Sequence, residues 1–309
     1  MRALIRAVSV LAVLFLAVSV AQAQTKIALG YTAVTDYLGG LVAVDQGFFA
    51  KRGLDVVPTQ MALNSLEPAA LVAGSLQVAL PTVSIMLQAN DGGLDLVALA
   101  GTSVTDPNNP SALILARTGS GIESPRDLVG KRFGVPGLNA LIHVLVRQWL
   151  KDKGVDYAKV TFVETPFPQM SDMLHNGTVD AVSAADPFTS RILAAKTGYP
   201  VGKLFHDLPP GIRTSVYAAT REWATAHRDS VKAFQAGLED AKAYMEKNPD
   251  AFRSAAAKYF KLPPDAVAQL DPPRLDLDVT PQQIDYWSDL MMRQGMLKSR
   301  PDAASLIFK

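Results

Sequence analysis

"KIALGYTAVTDYLGGLVAVDQGFFAKRGLDVVPTQMALNSLEPAALVAGSLQVALPTVSIML" occupies residues 26–87, and its reading decides the fold because a diverged copy follows it. The second copy, "KRFGVPGLNALIHVLVRQWLKDKGVDYAKVTFVETPFPQMSDMLHNGTVDAVSAADPFTSRIL", occupies residues 131–193. Both read as strand, helix, glycine turn, strand, helix, glycine turn, strand, helix. The landmarks stay in step: Lys26 and Lys131 are 105 apart, Gly53 and Gly154 are 101 apart, and Gly74 and Gly177 are 103 apart. Strands alternating with helices at this spacing predict parallel βαβ units. Two copies predict an α/β protein of two doubly wound lobes.

The copies are not simply consecutive. A turn-rich stretch, Asp106 to Pro110, leads into an apolar strand at Ala112–Ala116, and Ser215–Ala219 is apolar after the second copy. These read as two strands that cross between the lobes and form a hinge. Lobe one is then 24–111 with 218–309, and lobe two is 112–217. Trp223, Val231, Phe234, Leu238 and Ala241 recur at helical spacing. Thr280-Pro281-Gln282-Gln283 is a capping box with proline at the first helical position, opening a last helix that carries Tyr286, Trp287, Leu290 and Met291. These C-terminal helices are expected to return to lobe one.

Residues 1–23 have the layout of a secretory signal peptide: Arg2 and Arg6, an apolar run from Ala7 to Ala21, then Ala21-Gln22-Ala23 before Gln24. Without Arg2 and Arg6, 28 basic residues face 29 acidic ones, so the remaining chain is near neutral. That balance argues against a nucleic-acid partner, which normally leaves a basic face. With no cysteine there is neither a disulfide nor a thiol for a lipid anchor. The expectation is a freely diffusing monomer in the periplasm.

Ligands of open parallel sheets bind beyond the carboxyl ends of the strands. That rule selects Tyr31 and Thr32, Asn64 and Ser65, Thr82, and Thr102 in lobe one. In lobe two it selects Asn139 and Ala140, Pro166, Asp186 and Phe188. Asp186 either faces a ligand ammonium or caps a helix. Arg213, before the returning strand, either meets a carboxylate or sulfonate or is an exposed loop residue. Ser65 and Thr82 also stand where helix caps belong.

Catalytic signals are poor. Only four histidines are present, and His143 with Arg147 and Lys151 reads as a solvated i, i+4 stripe. The sequence carries no metal-ligand spacing, no nucleophile elbow and no complete phosphate loop; "GVPGLNA" lacks the third glycine. No metal or other cofactor is expected.

"LVAVDQGFFAKRGLDV", "AALVAGSLQVAL", "DLVGKRFGV", "LHNGTVDAV" and "DPFTSRIL" resemble the exported solute-binding proteins of ABC importers for nitrate, sulfonate, taurine and thiamine pyrimidine precursors. The resemblance runs from about Lys26 to Asn248. It implies a type II periplasmic-binding fold that closes on a small solute by hinge motion and docks on an inner-membrane permease. The solute it implies is a sulfonate, a taurine-like compound, or a carboxylic or aromatic acid. The chain departs from that pattern where the lobe-two helix begins Leu138-Asn139-Ala140 instead of small hydroxyl residues that grip an oxyanion. Two other readings stay open: a periplasmic enzyme of the pyrimidine-synthase type, for which the relatives' cysteine motif is missing, and a sensing module for a membrane receptor.

Overall fold

The structure, a computed structural model, describes residues 24–105, 112–205, 208–262, 264–268 and 270–309; the leader at 1–23, the stretch 106–110 and His206 lie outside them. In chain order the strands are β1 (Thr25–Tyr31), β2 (Leu54–Gln60), β3 (Leu96–Gly101), β4 (Ala112–Arg117), β5 (Arg132–Val135), β6 (Thr161–Glu164), β7 (Ala181–Ala185), β8 (Gly198–Lys203) and β9 (Val216–Thr220). The helices are α1 (Leu38–Asp45), α2 (Glu67–Val72), α3 (Val83–Asp91), α4 (Leu141–Asp152), α5 (Met170–His175), α6 (Phe188–Ala194), α7 (Arg221–Ala226), α8 (Arg228–Lys247), α9 (Ala251–Phe260), α10 (Pro264–Ala268) and α11 (Pro281–Arg293).

The two sheets repeat one plan. In lobe two the order is β6-β5-β7-β4-β8, with β5 parallel to both β6 and β7. In lobe one β1 runs parallel to β2, and Leu29 of β1 bridges Val78 in parallel. Ala79 then bridges Ala218 of β9, which pairs antiparallel with β3. Each lobe therefore has three parallel rows followed by one antiparallel strand that has just arrived from the other lobe: β4 in lobe two, β9 in lobe one. Strands such as β3, buried at all six positions, are apolar throughout because helices cover both faces.

The crossings meet each other. Val104 and Arg213 form an antiparallel bridge, and the Thr105 amide donates to the Ile212 carbonyl at 2.9 Å. Arg213 is fully buried there and pairs with Asp276 at 3.3 Å. Its guanidinium also donates to the carbonyls of Ser103, Asp276 and Asp278. A Cβ at Gly101 would fall 2.3 Å from the guanidinium carbon, so the close approach of β3 to this side chain requires glycine.

The C-terminal helices pack on lobe one and the hinge. Phe234 of α8 stacks on Phe49 with ring centres 4.7 Å apart. The capping box at Thr280 and Gln283 forms, and it starts α11 so that buried Trp287 donates to the Arg213 carbonyl at 2.6 Å. Among the described residues no helix is long and apolar enough to cross a membrane.

Candidate functional site

Strand-end loops from both lobes close over one cavity of about 70 Å³. Lobe one contributes Thr32, Asp36, Tyr37, Asn64 and Thr82, lobe two contributes Pro136, Ala140, Ile142 and Phe167, and the hinge contributes Thr214 and Ser215.

The lobe-one wall is a hydrogen-bonded network. After β1 the chain does not enter a helix at once; Val34 is extended, Thr35–Tyr37 makes a 3-10 turn, and α1 starts only at Leu38. This turn carries Asp36 and Tyr37 to the cavity. Asn64 donates through Nδ2 to the Leu80 carbonyl at 3.1 Å and to Tyr37 Oη at 3.3 Å, and its Oδ1 accepts from the Thr82 amide at 2.8 Å. Its polar atoms thus tie three loops together. Tyr37 Oη also lies 3.2 Å from Ser215 Oγ, and burial raises its pKa far above the usual phenol range. Asp36 Oδ2 accepts from Thr214 Oγ1 at 2.9 Å. Burial pushes the Asp36 carboxyl up, against hydrogen bonds from Ser103 and Thr214 and the field of Arg213.

The lobe-two wall is different. Asn139 adopts the left-handed conformation at φ 65°. The Leu138 amide donates to Glu164 Oε1 at 2.8 Å and the Asn139 amide to His143 Nδ1 at 2.8 Å. The Ala140 amide donates to the Gly137 carbonyl at 3.3 Å, and the Leu141 amide reaches Thr82 Oγ1 at 3.4 Å across the cleft. His143 therefore does not belong to a solvated stripe, and that expectation is corrected. It is buried, its ring meets Phe162 edge-on at 4.5 Å, and burial, aided by Arg147, lowers its pKa to about 4. Arg147 lies over the Tyr157 ring at 4.2 Å and donates to the Gln294 carbonyl.

Of the residues selected from sequence, Thr32, Asn64, Thr82 and Ala140 come together at the cavity. The others are placed elsewhere, each for a definite reason. Tyr31 packs against Tyr259 and Phe260. Ser65 turns to the outer cleft, where its hydroxyl donates to Glu164 at 3.0 Å and latches the lobes. Thr102 is buried and donates to the Ser215 carbonyl. Asn139 lines an outer groove with Ser65 and Leu138. Pro166 borders a neighbouring groove and precedes the 3-10 turn that carries Phe167. Asp186 accepts from the amide and hydroxyl of Ser190, so the helix-cap alternative describes its bonds. Phe188 sits behind the wall, stacked on Phe167 at 5.4 Å. Arg213 is neither exposed nor at the cavity; its guanidinium is consumed by the hinge.

Asp36, Tyr37, Ile142 and Ser215 were not selected from sequence. The available signal was the polar Thr35-Asp36-Tyr37 run, hidden by the assumption that a helix follows β1 directly. Among the described residues no group of three or more histidine, aspartate or glutamate side chains is placed to hold a metal ion.

Two α/β lobes, joined by paired crossings and closed over a cavity, define the class: this is the periplasmic-binding-protein fold. The alkanesulfonate-binding protein of Xanthomonas axonopodis pv. citri, solved with MOPS, superposes with a TM-score of 0.78 over 92% of this chain and 98% of that one, at 20% identity. The chain belongs to the NMT1/THI5-like family, whose model matches residues 34–252. A bicarbonate-binding protein of Synechococcus sp. is 24% identical over 72% of this chain, which spans only 54% of that relative. A formylaminopyrimidine-binding protein of Halalkalibacterium halodurans is 31% identical over 46% of this chain and 41% of its own. These relatives are binding proteins.

Proposed function

We propose that this protein is the periplasmic receptor of an ABC importer, binding a small organic solute between its lobes and presenting the closed form to a membrane permease. The observation that carries this reading is the cavity: both lobes and the hinge supply its walls, so a solute contacts them all at once only when the lobes are closed. Such a solute shifts the open–closed equilibrium by its differential affinity for the two states. The relatives' names support the transport role. The sulfonate, taurine-like and carboxylic or aromatic acid candidates find apolar support for their bodies in Phe167, Ile142 and Pro136. Their anionic heads find no basic side chain among the described lining residues.

Small-angle scattering and thermal unfolding, run with and without candidate solutes, test the reading. A true solute compacts the particle, and at 100 times its dissociation constant it adds about 2.7 kcal/mol of stability. A solute that binds tightly without compaction removes the receptor mechanism.

A further inference from the structure

Resting on that receptor reading, we propose that the cavity selects its solute through an ammonium group received by Asp36 and discriminates against oxyanions. Three observations carry this. First, Asp36 is the one charged side chain among the described residues that line the cavity; the rest of the lining is hydroxyl, amide or apolar. Second, its charge is not cancelled by an ion pair. Arg213, the cation whose field reaches Asp36, is bonded to Asp276 and to three carbonyls, and no described bond joins it to Asp36. Asp36 is held in place by hydroxyls from the hinge, with Thr214 donating to Oδ2. Such bonds orient a carboxylate without neutralising it.

Third, the usual anion seat is already occupied by the protein's own acceptors. The glycine turn before α4 has the form of an anion-binding helix start. Yet its four amides from Leu138 to Leu141 donate to Glu164, His143, Gly137 and Thr82. His143 contributes no positive charge there, because its Nδ1 accepts the Asn139 amide and the ring is neutral. An oxyanion entering this space would face the Asp36 carboxylate in a poorly solvated cavity, where like charges repel strongly. A donor entering the same space completes the acceptor capacity of Asp36 with a charge-assisted hydrogen bond. Burial already disfavours the unliganded Asp36 carboxylate, and a positively polarised ligand relieves that cost. Phe167, backed by Phe188, supplies a flat apolar surface for the ligand's body.

Titration calorimetry with matched pairs tests the proposal: benzylamine against benzoate, and ethylamine against acetate. Within each pair the body is similar and the head changes sign. The expected result is binding of the amine with its carboxylate partner at least about tenfold weaker, and a further loss of about tenfold or more for the amine in Asp36→Asn. A carboxylate that binds better than its amine overturns the proposal while leaving the receptor reading intact. Equal amine affinity in wild type and Asp36→Asn also overturns it. Should Asp36→Asn fail to fold, the wild-type pairs decide alone. If no member of any pair binds, the proposal falls, while the receptor reading stands or falls on the scattering and unfolding measurements above.

Discussion

The turn after β1 and the turn after β5 occupy corresponding places in a duplicated fold, yet they do opposite work. In lobe one, Thr32–Tyr37 turns polar groups inward, and Asn64 and Ser215 hold them there. In lobe two, the amides of Leu138, Asn139 and Ala140 bond to Glu164, His143 and Gly137 behind the wall, that of Leu141 bonds to Thr82 across the cleft, and Pro136, Ala140 and Ile142 are left as an apolar surface. Duplication has kept where the walls stand while the groups they present have diverged. In the binding mode proposed above, lobe one reads the solute's polar head, while lobe two closes over its body.

That contrast can be broken first at the support behind the lobe-one wall. Arg213→Ala leaves Asp276 and three carbonyls without their buried partner, and it is expected to cost about 3–5 kcal/mol in urea unfolding. A variant that unfolds like wild type but no longer binds solute would put Arg213 in the recognition site after all.

The next largest effect lies in lobe two. His143 is neutral in the folded protein, with its pKa lowered to about 4 from 6.5. Its contribution is full above about pH 6.5 and is lost as pH falls toward 4, because the unfolded chain takes up the proton first. The loss is about 3 kcal/mol. His143→Phe should flatten the stability profile in that window, and an unchanged profile would remove His143 as its source.

Lobe one holds the opposite dependence. Glu67 is fully buried at the start of α2, and neither carboxyl oxygen has a hydrogen-bond partner. Burial raises its pKa well above the usual carboxylate range. A raised acid pKa gives stability that is fully present below the unfolded value and declines as pH rises toward the folded one. Glu67→Gln removes that titration and is expected to gain roughly 1–3 kcal/mol at neutral pH, the linkage cost of a carboxyl that stays protonated when folded but has lost its proton in the unfolded chain. Denaturation at several pH values checks both the gain and the loss of slope.

The smallest effect belongs to the latch between the walls. Ser65→Ala removes the 3.0 Å bond to Glu164 at the edge of the cleft and should cost at most about 1 kcal/mol. Scattering from the solute-free protein should show a larger open fraction. An unchanged distribution would mean that the latch does not hold the lobes.

Much of this was readable in one dimension. The glycine landmarks set the repeat, Thr280 and Gln283 announced α11, and the strand-end rule picked out Thr32, Asn64, Thr82 and Ala140, which share one cavity lining. Asp36 escaped because the extra 3-10 turn after β1 leaves little trace in hydrophobic periodicity. Arg213 was misread because Asp276 and Trp287, which bury it, lie more than sixty residues further along the chain. His143 looked solvated because i, i+4 spacing marks a helix face without saying what Phe162 of the next strand will cover.

By itself, then, the sequence determined the parts and their order: two α/β units, two crossings, helices that return, and the loops that can line a cleft. Those features follow from local periodicity, turn chemistry and chain connectivity. Only the tertiary structure decided which polar atoms remain available to a solute. That depends on pairings between distant segments, as where Glu164 accepts the Leu138 amide and the Thr214 hydroxyl donates to Asp36, and each such bond fixes what is left for a ligand.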